Sequence, residues 1–132
     1  MMRETKNMVL SDTLKEVLTK EGVVAIVSWY KKEPHITNTW NTYITVVDEN
    51  TFLIPAGVMK TLEKNVQKNK NVKISIGSRE VVGFNKYQGT GFLLEGEASF
   101  SYDEAYVKML KKKYPWLTRV LVIEITTYKQ LL

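Results

Sequence analysis

Apolar positions recur along this chain in short runs separated by polar punctuation, and their spacing predicts its elements. Leu10, Leu14, Val17 and Leu18 recur at helical spacing, which predicts a helix over Ser11 to Lys20. Thr13 and Glu16 read as its capping box, and Gly22 as its C-terminal glycine. Val23 to Tyr30 (VVAIVSWY) is β-branched and aromatic, the composition of a strand. Lys31 to Pro34 is a polar turn and His35 to Val47 a second strand. Asp48-Glu49-Asn50 is a hairpin turn leading into a third strand, Thr51 to Ile54. Met59, Leu62 and Val66 share one face of a helix over Met59 to Lys68.

Asn71 to Ser78 (NVKISIGS) alternates apolar and polar residues, as a half-buried strand does. Arg79 to Phe84 continues or turns it, and Asn85 to Gly89 is a loop. Thr90 to Phe100 is a long strand in which Gly91 and Gly96 mark bulges or bends. Ser101 to Lys113 is a third helix, with Ser101 and Glu104 as capping box and Pro115 beyond its end. Arg119 to Thr127 (RVLVIEITT) is the last strand. About six strands joined largely by tight turns predict a mainly β fold with flanking helices, an antiparallel sheet curled into a small barrel. With 132 residues and no linker, repeat or low-complexity segment, the chain reads as a single domain over 1–132.

Composition narrows the chemistry. The absence of cysteine excludes disulfides, thiol catalysis and thiolate metal sites, and a single histidine, His35, argues against a histidine metal site. No apolar run approaches the roughly 18 residues of a membrane span. The N-terminal MMRETKNMVLSD has no apolar core of signal-peptide length, so a soluble, cytoplasmic protein is expected. The net charge of +5 comes largely from Lys60 to Lys73 and Lys108 to Lys113. It favours anionic partners without choosing between nucleic acid, a phosphorylated small molecule and plain solubility.

Familiar catalytic arrangements are missing. Gly89-Thr90-Gly91 enters a strand rather than a helix, and Leu94 stands where a dinucleotide fingerprint needs its third glycine. No phosphate-loop motif is present, and no serine, histidine and acid set stands out. Glu95 and Glu97 share a strand face, an arrangement common on solvated surfaces. The densest polar stretch is Thr37-Asn38-Thr39-Trp40-Asn41-Thr42-Tyr43, whose amides and hydroxyls lie beside large aromatics. A flavin ring wants such a setting, with an apolar slab against its face and hydrogen bonds along one edge. The bend Pro55-Ala56-Gly57-Val58-Met59-Lys60-Thr61 then offers backbone N–H groups, a lysine and a hydroxyl at the start of a helix, the parts a phosphate needs. Ser78-Arg79 is a second candidate phosphate clamp.

These blocks resemble a known family. EGVVAIV, PHITNTWNTYITVVD, IPAGVMKTLEKNV, GSREVVG, GTGFLLEGEASF and the terminal RVLVIEI segment are similar to the small bacterial FMN-binding proteins of the pyridoxamine-phosphate-oxidase-like split-barrel superfamily. The likeness runs in one register from about Leu10 to Leu132. It implies a six-stranded antiparallel Greek-key split β-barrel, forming a homodimer with one FMN per subunit near the interface. Carried over by position, Asn38, Thr39, Trp40 and Asn41 would line the flavin. Pro55, Ala56, Gly57, Val58 and Met59 would bring backbone against its edge, and Lys60 and Thr61 would hold the phosphate, with Ser78 as a further contact. Leu132 would reach the partner's flavin, with Tyr43 and Trp116 as aromatic neighbours. Val58 replaces a glycine that family members often carry. The extra basic substrate-binding residues of the larger oxidases have no counterpart here, so pyridoxamine phosphate oxidation is not implied.

The expected function is FMN binding with electron transfer or a simple flavin-dependent oxidation or reduction, served by a redox partner protein or a reduced nicotinamide cofactor. Two alternatives stand beside it. One is a basic β-barrel that binds single-stranded nucleic acid through Trp29, Tyr30, Trp40 and Tyr43. Against it, the lysines cluster on predicted helices rather than between the strand aromatics, so neither nucleic acid nor membrane is expected as a partner. The other is a split-barrel relative using another flavin-like cofactor.

Overall fold

The computed structural model describes residues 9–132. The chain order is α1 (Asp12–Val17), β1 (Val23–Tyr30), β2 (Glu33–Trp40), a 3-10 turn (Asn41–Tyr43), β3 (Thr45–Val47) and β4 (Thr51–Ala56), then α2 (Lys60–Lys68) and β5 (Asn71–Val82). A second 3-10 turn (Phe84–Lys86) leads into β6 (Gln88–Ser101), α3 (Glu104–Lys111) and β7 (Arg119–Gln130). The strands form one seven-stranded sheet in the order β2-β1-β5-β6-β7-β4-β3, every neighbouring pair antiparallel. No pairing joins β2 to β3 among the described residues, so the sheet does not close.

The expectation of six strands fails at one place. The strand predicted over His35 to Val47 is broken at Asn41–Tyr43. Asn41 is fully buried; its backbone N–H donates to Gly22 O at 2.9 Å, and its Nδ2 donates to Gly77 O at 2.9 Å and Val17 O at 3.3 Å. These bonds pull the chain inward for one turn. β2 then stays with β1, while β3 leaves to pair with β4 at the opposite edge. The two edge strands are therefore consecutive in sequence, and the turn between them bridges the open seam.

Local chemistry moves the predicted boundaries. Ser11, not Thr13, caps α1, its Oγ accepting from Leu14 N at 3.2 Å. Asp103, not Ser101, caps α3, its Oδ1 accepting from Ala105 N at 2.8 Å. Gly22 is no helix cap. It passes so close to Gly77 that an added Cβ would stand 2.6 Å from the Gly77 carbonyl. Gly96 marks a register shift between β6 and β7 as expected, whereas Gly91 pairs regularly with Gly77. β4 is buried on both faces. Phe52 and Ile54 face the main core with Leu14, Ile26, Ile74 and Leu94, and Leu53 faces a smaller cluster with Leu110, Tyr114, Leu117 and Val120. Val23, Ala25, Val27 and Trp29 alternate out of that core along β1, and none of them belongs to either buried cluster.

Candidate functional site

A cleft of about 310 Å³ opens where β2, the end of β4 and the segment before β7 meet. Thr37, Asn38, Thr39 and Trp40 form one wall, Pro55 and Gly57–Met59 the other, and Tyr43 and Trp116 the aromatic end. β2 is an edge strand, so residues from both of its faces reach the opening. Asn38 is held by its Nδ2, which donates to Val24 O at 3.2 Å. Trp40 stays 47% exposed, a large apolar ring presented at the mouth.

Three rings build the aromatic end. Tyr43 lies 4.9 Å from Tyr114 and 5.9 Å from Trp116, centroid to centroid, and Tyr114 is 5.9 Å from Trp116. The Trp116 ring rests on Gly57, where a Cβ would come within 3.2 Å of a ring carbon. A side chain at Gly57 would press on this ring, which would have to give by a few tenths of an ångström.

The wall opposite β2 is fixed from behind. Arg119, the first residue of β7, is 5% exposed. Its Nη1 donates to Gly57 O at 3.1 Å and to Thr118 Oγ1 at 2.9 Å, and its Nη2 donates to Val58 O at 2.8 Å. Its Nε donates to Glu63 Oε1 at 2.9 Å, completing an ion pair whose Nη2–Oε1 distance is 2.8 Å. Phe100 lies under the guanidinium at 4.9 Å. A buried cation is tolerable when it is both paired and fully hydrogen-bonded, and this one meets both conditions. Tyr102 adds a further link, its hydroxyl donating to Glu63 Oε2 at 3.0 Å; that bond, then burial and the carboxylate charge, hold the phenol above its usual pKa. Met59 follows in the left-handed region at φ 79° and starts α2.

The predicted residues divide into four groups. Asn38, Thr39, Trp40, Pro55, Gly57, Val58 and Met59 meet at the cleft. Lys60 and Thr61 stand exposed at its rim as the first residues of α2, whose N-terminus no side chain caps. Asn41 and Ala56 lie inside the fold. The Asn41 Nδ2 is spent on Gly77 and Val17 while its Oδ1 is buried without a partner, and the Ala56 carbonyl accepts from Thr118 N at 2.8 Å. Ser78 and Leu132 lie elsewhere, at a second cleft of about 530 Å³ with Glu21, Arg79, Gln88 and Thr90. There the Ser78 Oγ accepts from Glu80 N at 3.1 Å, and Leu132 O accepts from Thr90 Oγ1 at 2.9 Å. Glu95 and Glu97 pair with Lys73 and Lys70 at 3.2 and 3.5 Å.

Sequence reading placed Thr37 in the polar stretch without assigning it to the site, and missed the Arg119–Glu63 pair. Thr37 Oγ1 is buried with no hydrogen-bond partner in the wall of the cleft. Leaving a buried hydroxyl unmet costs about 1–3 kcal/mol; Thr37 Oγ1 is sealed from the opening, so it meets a ligand atom only if the wall shifts. An isoalloxazine suits this cleft: aromatic slabs at one end, a polar strand along one side, backbone along the other. The hint for Arg119 was a cation opening the apolar run RVLVIEI.

Three comparisons bear on this arrangement. The pyridoxamine 5'-phosphate oxidase profile matches residues 10–131. The chain is 40% identical over 123 residues to the FMN-binding protein of Nitratidesulfovibrio vulgaris (strain DSM 19637 / Miyazaki F), covering 93% of this chain and 99% of that one. Among solved structures, it is similar to HupZ from Group A Streptococcus, with TM-score 0.75 and 17% identity over 93% of this chain and 94% of that one. It is also similar to an FMN-binding protein from Syntrophomonas wolfei subsp. wolfei, with TM-score 0.72 and 11% identity over 92% and 85% of the two chains.

Proposed function

The chain belongs to the pyridoxamine 5'-phosphate oxidase family, and on that footing we propose that it holds one FMN between β2 and the bend joining β4 to α2. The observation that carries this reading is a convergence. Asn38, Thr39 and Trp40 meet Pro55 and Gly57–Met59 across one cleft, with Tyr43 and Trp116 at its end. The relative at 40% identity is named an FMN-binding protein.

In this reading Trp40, Tyr43 and Trp116 cover the ring system, and Asn38 and Thr39 meet its polar edge. Gly57, Val58 and Met59 present backbone to the opposite edge. Lys60 and Thr61, with the free amides at the start of α2, hold the phosphate. Asn41 acts indirectly, by keeping β2 in place. Bound FMN would supply one- or two-electron transfer, and the protein would bind it, orient it and limit its contact with water. The redox role is electron transfer or a simple flavin-dependent reaction with a partner protein or a reduced nicotinamide cofactor, carried out in the cytoplasm. The chain acts as a homodimer. Val27 and Ile36 pair across β1 and β2 on the face turned away from the core, next to the cleft, and Ile36 is 63% exposed. Ser78 and Leu132 would meet a flavin only from a second copy, since they lie in the other cleft of their own chain.

The test is direct. The protein purified without added cofactor is expected to be yellow and to release FMN, rather than FAD, on denaturation. A colourless protein that takes up no added FMN would end this proposal.

A further inference from the structure

Resting on that assignment, the geometry points to a role for a residue outside the cleft: Arg119 is a positioning residue that turns the Val58 and Met59 N–H groups into the cofactor cleft as a fixed pair of donors.

A peptide unit is planar and trans, so its C=O and N–H point in opposite directions. No described peptide bond is cis. The Gly57 carbonyl shares its unit with the Val58 N–H, and the Val58 carbonyl shares its unit with the Met59 N–H. Arg119, which does not line the cleft, takes both carbonyls, at 3.1 and 2.8 Å. Both N–H groups must therefore point away from Arg119. Val58 and Met59 line the cleft, whereas Arg119 does not. Neither N–H has a backbone acceptor among the described residues. Two adjacent, outward-turned donors on a bend without side-chain bulk at Gly57 fit a carbonyl or a ring nitrogen with a lone pair, and the edge of a flavin offers both.

Only a forked guanidinium can do this. One planar group reaches the two successive carbonyls, Thr118 and the Glu63 carboxylate together. An ammonium is a compact point charge and cannot span those acceptors in one plane. Glu63 neutralises the cation, so the clamp sets direction without adding net charge under the flavin. The left-handed Met59, at φ 79°, is the strained residue that this anchoring holds in place.

The experiment compares wild type with Arg119→Lys. In FMN-free protein the carbonyl-carbon resonances of Gly57 and Val58 are expected to move in R119K, which reports the clamp with no cofactor present. On adding FMN to wild type, the Val58 and Met59 amide resonances are expected to move strongly. R119K is expected to bind FMN at least tenfold more weakly, with a displaced visible absorption band. Should R119K fail to fold, Thr118→Val removes one acceptor of Arg119 and keeps the ion pair. It is then expected to shift the Val58 carbonyl resonance, which Arg119 bonds and Thr118 does not, and to weaken FMN binding in step. Unmoved carbonyl resonances, unmoved Val58 and Met59 amides in FMN-bound wild type, or a variant with shifted carbonyls and wild-type affinity and spectrum would each overturn the proposal. A wild-type chain that binds no FMN would instead end the flavin assignment, while the carbonyl resonances still decide the clamp.

Discussion

The cleft beside Trp40 has a volume of about 310 Å³, and the cleft beside Leu132 about 530 Å³. In the smaller, one wall is pinned by a buried arginine, the end is a packed aromatic trio, and a buried hydroxyl lacks a partner. In the larger, Ser78, Gln88 and Thr90 bond to their own chain, Gln88 to the Arg79 carbonyl at 2.6 Å, while the charged side chains of Glu21, Arg79 and Glu80 also line it. A ligand gains most where donors are fixed in advance and still unused, because ordering them on binding would cost affinity. On the proposed reading, the smaller cleft takes the cofactor and the larger meets a second copy.

The largest effect that would sharpen this contrast belongs to the rim. Lys60→Ala is expected to weaken FMN binding by about 1.5–3 kcal/mol, the range for a hydrogen bond to a charged group. Calorimetric titration measures it, and an unchanged affinity removes Lys60 from the phosphate site. A smaller effect belongs to the other cleft. Leu131 and Leu132 are about half exposed in the single chain. If the tail packs against a second copy, deleting both residues forfeits about 1 kcal/mol of apolar burial per leucine, and flavin affinity or dimer formation drops. Sedimentation combined with FMN titration checks this. A truncated protein that keeps both properties would show the Leu132 cleft to be idle.

What could be read from the residues alone follows the range of the forces involved. The polar-aromatic run Asn38-Thr39-Trp40 and the Gly57 bend are contiguous in sequence, and both reach the cleft. The strands were legible because period-2 alternation is local, as in β5. The break at Asn41 was not legible, since Asn-Thr-Tyr is compatible with a continuing strand. What bends it are acceptors on Gly22, Val17 and Gly77, distant in the chain. For the same reason the seventh strand and the open seam were hidden. Arg119 was missed because its partner Glu63 lies 56 positions away. Nothing local distinguishes a cation destined for burial from one that merely opens an edge strand. Local pattern also placed Lys60 and Thr61 at the start of a helix, and they are the first residues of α2.

The central claim is that the cofactor sits between Trp40 and the Gly57–Met59 bend. Titrating FMN into isotope-labelled, FMN-free protein and following every backbone amide and tryptophan indole tests it most directly. The account predicts the strongest changes at Thr37 to Trp40, Val58, Met59 and the indoles of Trp40 and Trp116. Saturable FMN binding that leaves those groups unmoved and shifts only Ser78 to Thr90 and Leu132 would contradict it.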